Sequence, residues 1–109
     1  MAKYERRLRQ PFSRVLSLLE RGIEESGLSV NLVDKSDYSA GGVRVAVRVY
    51  DKYFMRNGNR ASLSLTVVGS GEDVFVSAIG AGGGAGVIFN FSLGAEAELV
   101  ELVQQLLEG

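Results

Sequence analysis

This 109-residue chain contains no histidine and no cysteine, so the features that could do chemistry are its other polar side chains and one glycine run. Without histidine the usual general acid/base near neutral pH is missing, and so is the commonest metal ligand. Without cysteine there is no disulfide, no thiolate nucleophile and no ordinary structural zinc site. The one spacing that resembles a cofactor motif is Gly80-x-Gly82-x-x-Ala85, inside the run Gly80-Ala81-Gly82-Gly83-Gly84-Ala85-Gly86. A dinucleotide cradle uses such glycines to bring the backbone close to a pyrophosphate, with a helix opening directly behind them. Here the β-type run Val87-Ile88-Phe89-Asn90-Phe91 follows, no acidic residue stands in a second strand at the required distance, and no Gly-Lys-Ser/Thr is present. No cofactor and no metal are expected.

The glycine run sits in a 22-residue stretch, 74–95, that carries no charged side chain. Its length suits a membrane span. Its composition does not: five glycines within seven residues cost about 2.5–5 kcal/mol relative to alanine in a helix interior. The stretch reads instead as strand-like segments at 74–79 and 87–91. The glycines between them then form a bend, a bulge, a place where another backbone comes close, or a lid over a pocket made by Gly82, Gly83 and Gly84.

Two further groups could bind something. Arg44 and Arg48 recur on one side of a strand with Tyr50 next, a pattern suited to an anion or a partner. Tyr53, Phe54 and Met55 lie near a hairpin tip with Asn59 and Arg60 just beyond it. Large apolar side chains at a tip suggest a homodimer contact first and ligand binding second. Lys3, Arg6, Arg7, Arg9 and Arg14 hold five of the twelve basic residues. Glu5 interrupts them and no aromatic platform accompanies them, so nucleic acid is not expected as a partner. The formal net charge of −1 agrees.

The positioning elements follow from periodicity. Residues 3–8 read as a strand with Tyr4, Arg6 and Leu8 on one side. Phe12, Val15, Leu16, Leu19 and Ile23 form one stripe of an amphipathic helix after Pro11, ending near Gly27. Leu28, Val30 and Leu32 alternate with Ser29 and Asn31. Val43, Val45, Val47 and Val49 alternate with Arg44, Ala46, Arg48 and Tyr50. Ala61, Leu63, Leu65 and Val67 alternate with Ser62, Ser64 and Thr66. Asn57-Gly58 supplies a turn, and Asp73 to Ile79 a further strand. Ala95, Leu99, Leu102, Val103 and Leu106 form a second helical stripe. Glu96 and Glu98 sit near its start, where acids complement the helix dipole.

The expected fold is a single α+β domain over 1–109, one antiparallel sheet with two amphipathic helices on one face, in the order β-α-β-β-β-β-α. The valine side of 43–49 is expected to face the helices. The side bearing Ser29, Asn31, Arg44, Arg48, Tyr50, Ser62, Ser64 and Thr66 is then expected to be open.

Ala46-Val47-Arg48-Val49-Tyr50-Asp51-Lys52-Tyr53, Gly58-Asn59-Arg60 and Ser77-Ala78-Ile79 with the glycines after it resemble a family of small bacterial proteins, mostly from Firmicutes, known only as a domain of unknown function. The resemblance runs nearly end to end. It implies a cytoplasmic stand-alone domain and carries over no catalytic residue. The element order also looks like the fold of the TATA-box-binding-protein and helix-grip group, whose members bind DNA on the open face or lipids between helix and sheet. The apolar wedges of the DNA-binding members are replaced by serines and arginines. The resulting expectation is a non-enzymatic module that holds a small apolar or anionic molecule, with homo-oligomeric interaction as the alternative and binding of nucleic acid through basic residues as the weaker one.

Overall fold

The computed structural model describes residues 2–54, 58–83 and 93–109. The elements are β1 (Ala2–Arg9), α1 (Phe12–Glu24), β2 (Asn31–Ala40), β3 (Val43–Phe54), β4 (Asn59–Ser70), β5 (Asp73–Gly83) and α2 (Leu93–Glu108). The strands form one sheet in the order β1-β5-β4-β3-β2, with every neighbouring pair antiparallel. Consecutive hairpins lay β2 to β5 side by side. The crossover through α1 separates β1 from β2, so these two strands form opposite edges of the sheet.

The core draws on both helices and one face of the sheet. Phe12, Val15, Leu19 and Ile23 come from α1, and Leu99, Val100 and Val103 from α2. Beneath them lie Ala46 and Tyr50 of β3, Ala61, Leu63, Leu65 and Val67 of β4, and Val74, Val76 and Ala78 of β5. The α1 stripe is the one its periodicity predicts, and Leu16 packs at its margin.

The face of β3 is inverted relative to expectation. Ala46 pairs with Val67, Arg48 with Leu65 and Tyr50 with Leu63. Directly paired residues share a sheet face. Arg44, Ala46, Arg48 and Tyr50 therefore stand with the buried leucines, while Val43, Val45, Val47 and Val49 share the open face with Ser62, Ser64 and Thr66. A slip of one residue reverses every side chain, and alternation within β3 alone favours burying the four valines over the two arginines.

Two other boundaries move. β2 is not the apolar segment around Leu28 and Val30, which precedes the strand and packs at the core margin. It is the polar run Asn31–Ala40, exposed along its whole length, with a bulge between Leu32 and Asp34. Polar edge strands carry no apolar alternation to reveal them. The glycine run is also partly strand: β5 continues through Gly80, Ala81, Gly82 and Gly83, which pair with Leu63, Ser62, Ala61 and Arg60. A Cβ on Gly80 would lie 2.8 Å from the Glu96 carbonyl oxygen and 2.9 Å from Val100 Cγ2. Gly80 therefore lets the α2 backbone rest on β5. The expected strand at 87–91, Gly84 to Gly86, and Met55 and Asn57 at the hairpin tip lie outside the described residues.

Candidate functional site

Helix α1 crosses the sheet so that its flank faces the edge pair β2–β3. The buried Arg48 is drawn toward that flank because its strand position points it beneath α1 and only acids there can satisfy it. Its Nε donates to Glu20 Oε2 of α1 at 2.6 Å, and its Nη1 lies 3.0 Å from Asp37 Oδ1 of β2. Nη1 also donates to the Val47 carbonyl oxygen at 3.0 Å. Arg48 thus ties α1, β3 and the edge strand β2 together. Burial works against its charge, but the two carboxylates outweigh it and the guanidinium pKa is raised.

This ion triad stands between two recesses along the α1 flank. Toward the start of α1, a cavity of about 170 Å³ is lined by Phe12, Asp37, Tyr38, Ser39, Arg44 and Val45. The Arg44 guanidinium stacks 4.5 Å from the Phe12 ring centroid. Toward the end of α1, a larger cavity of about 540 Å³ opens between the helix, the chain leading into β2, and β3. Ile23, Val30, Leu32 and Tyr50 supply its apolar wall, and Ser17, Glu20, Arg21, Glu24, Asn31 and Lys35 the polar one. Tyr50 is only 5 % exposed, and its hydroxyl, which has no hydrogen-bond partner among the described residues, opens to the cavity rather than being sealed in the core. Burial first, then the Glu20 carboxylate, holds the phenol pKa above its ordinary value, so Tyr50 presents a neutral donor to the cavity.

The expected site residues are dispersed. Arg48 and Tyr50 belong to the triad and the large cavity, and Arg44 to the small one. Tyr53 projects from the open face beside Arg60, whose guanidinium lies 5.7 Å from its ring. Phe54 points the other way, packs at the core margin and lies under the Lys52 ammonium, which also donates to the Leu28 carbonyl. The patch read from Tyr53 and Phe54 is therefore split between two faces. Arg60 and Gly82 meet at a third, shallower cavity of about 470 Å³ on the open face. Gly83 pairs with Arg60 in the ladder, as Phe54 does with Asn59; Gly84 lies outside the described residues.

The amino-terminal basic residues are divided as well. Arg6 turns to the helix side and meets Glu108 at 3.7 Å, while Arg9 meets Asp73 at 3.7 Å. The residues missed from sequence are Glu20, Arg21, Glu24, Lys35 and Asp37. Their signal was indirect: an arginine on the buried face of a strand needs an acid, and Glu20 flanks the α1 stripe one position after Leu19.

Among the described residues no group of three or more His, Cys, Asp or Glu is placed to hold a metal ion. No described helix is long and apolar enough to cross a membrane.

The model of DUF6054, a family of unknown function, matches residues 1–109. The chain belongs to DUF6054. A family of unknown function spanning the whole chain is thus found, which is the coarser part of what the strand and glycine motifs implied. No curated protein matches it. The crystal structure of TTHA0849 from Thermus thermophilus is similar at 15 % identity, covering 98 % of this DUF6054 chain and 88 % of that one, with a TM-score of 0.27.

Proposed function

We propose that this protein is a non-enzymatic binding module whose site is the 540 Å³ cavity between α1, the start of β2 and β3. The observation that carries the reading is Tyr50, a phenol without a hydrogen-bond partner among the described residues, in the wall of a cavity of ligand size. An acceptor on a bound molecule would pair with that hydroxyl, a bond worth about 0.5–1.5 kcal/mol net. The charge of the lining narrows the class. Glu20 is engaged by Arg48, which leaves Arg21 and Lys35 against Glu24. A small amphipathic anion fits: its charged end toward Arg21 and Lys35, its apolar body on Ile23, Val30 and Leu32, and an oxygen accepting from Tyr50. By analogy of element order, the helix-grip group also places ligands between helix and sheet.

The test is titration of the ¹⁵N-labelled protein with octanoate and with benzoate. The reading expects saturable shifts clustered at Ile23, Leu32, Lys35 and Tyr50, lost in Tyr50→Phe combined with Lys35→Glu. No saturable shift with either probe at millimolar concentration, or shifts clustered elsewhere, would overturn it.

A further inference from the structure

The open face of the sheet has a composition that a free surface does not need. The pairings align its side chains in rows that cross all five strands. One row reads Arg7, Phe75, Val68, Val45, Tyr38; the next Glu5, Ser77, Thr66, Val47, Ser36; the third Lys3, Ile79, Ser64, Val49, Asp34. Phe75 and Ile79 are 37 % and 38 % exposed, and Tyr38 is 68 % exposed. Lys3 and Arg7 stand at the β1 edge with Glu5 between them, Lys3 lying 3.9 Å from Glu5 across exposed side chains, and Asp34 and Tyr38 stand at the β2 edge.

We infer that this face is the contact with a second copy of the chain, packed sheet on sheet about a two-fold axis running along β4. Such an axis lays the β1 edge of one copy over the β2 edge of the other and keeps each row at its own height. Lys3 then opposes Asp34 of the second copy, and Arg7 opposes the Tyr38 ring, an ion pair and a cation–π pair made twice by symmetry. In the same rows Phe75 faces Val45 and Ile79 faces Val49. On the axis Val68, Thr66 and Ser64 each face themselves, small enough for sheets about 10 Å apart. An axis across the strands would instead stack the β1 edge on itself, setting basic residues against basic residues. Five strands about 4.8 Å apart and eight residues long give a face of roughly 24 by 27 Å, on the order of 650 Å² in projection. Side-chain relief raises the accessible area above this projection, toward the roughly 800 Å² per partner of a standard interface. Charge complementarity and area thus both point to a second copy. The surface is distinct from the α1 cavity, so the two proposals stand or fall separately.

Sedimentation velocity of the full chain at 5–100 μM tests it. The expected species has twice the 11.7 kDa monomer mass. Val68→Lys places like charges on the axis and is expected to give a monomer with an unchanged circular dichroism spectrum. Lys3→Asp and Asp34→Lys are each expected to weaken association about tenfold, and the double swap to restore it. Because the chain has no cysteine, Thr66→Cys treated with a short bismaleimide is expected to crosslink efficiently, whereas Ser17→Cys on α1 is not. A wild-type monomer at 100 μM would overturn the inference. So would a folded Val68→Lys dimer, a charge swap that fails to restore association, or equal crosslinking of the two cysteine variants.

Discussion

Removing either acid from Arg48 should cost unequal amounts, and the inequality follows from burial. The Arg48 side chain is 5 % exposed, Glu20 37 % and Asp37 58 %. Stripping a partner from a fully buried pair costs about 3–5 kcal/mol because a charge is left buried and alone. In Glu20→Ala, Arg48 keeps Asp37 and two carbonyl acceptors, and the cavity admits water, so we expect about 1.5–3 kcal/mol. Asp37 sits on an exposed edge, where ion pairs are worth about 0–1 kcal/mol, so Asp37→Ala should fall there. Arg48→Met keeps the stem volume and removes the buried charge, while both acids can rehydrate. Its cost should lie below that of Glu20→Ala, at about 0–1.5 kcal/mol. The chain has no tryptophan, so urea unfolding is best followed by far-ultraviolet circular dichroism, with a shared m-value across the series. The expected order of loss is Glu20→Ala, then Arg48→Met, with Asp37→Ala at or below it. Equal losses for the two acids, or a larger loss for Arg48→Met than for Glu20→Ala, would refute the account of Arg48 as a buried cation held chiefly by α1.

Other outcomes are equally specific. Gly80→Ala forces α2 away from β5, since the new methyl would meet the Glu96 carbonyl oxygen at 2.8 Å; we expect a loss of about 1–3 kcal/mol. That lowers the melting temperature by several degrees per kcal/mol, which calorimetry would show. The Glu108 carboxyl accepts a hydrogen bond from Tyr4 Oη at 2.7 Å, and that bond lowers its pKa first, with Arg6 adding to it. A depressed carboxylate pKa stabilises the fold above the unfolded value and loses that contribution as pH falls through the folded one. A carbon-detected pH titration should therefore place Glu108 below an ordinary glutamate, and Tyr4→Phe should move it back up. Tyr50, held above its ordinary value by burial and Glu20, should ionise in an ultraviolet titration above the range of a free phenol, and Tyr50→Phe should remove that late step. Its contribution to stability is present below the unfolded pKa and lost as pH rises through the folded one.

The elements were largely legible and their faces were not. The α1 stripe from Phe12 to Ile23, the alternation of 43–49 and 61–67 and the stripe of α2 are local patterns, set by which side chains must leave water. β2 was hidden because an edge strand exposed from Asn31 to Ala40 buries nothing that could print a period. The β3 face turned on the register of the β3–β4 hairpin: pairing Phe54 with Asn59 sets odd positions against even ones and puts the valines with the serines, and no local pattern fixes that register. The cavity was out of reach for another reason: Glu20, Lys35 and Tyr50 come from three elements, and no local spacing relates them.

The sequence by itself determined that this is an α+β chain with two amphipathic helices and valine-rich strands, and that histidine and cysteine chemistry is closed to it. Those are properties of composition and local period. Only the tertiary structure decided which side of β3 is buried and that Gly80 is a seat for α2. It alone brought Arg48 to Glu20 and Asp37 and left the valine face uncovered by the described helices. Each of these depends on strand register and helix placement, global quantities that shift every side chain of an element at once.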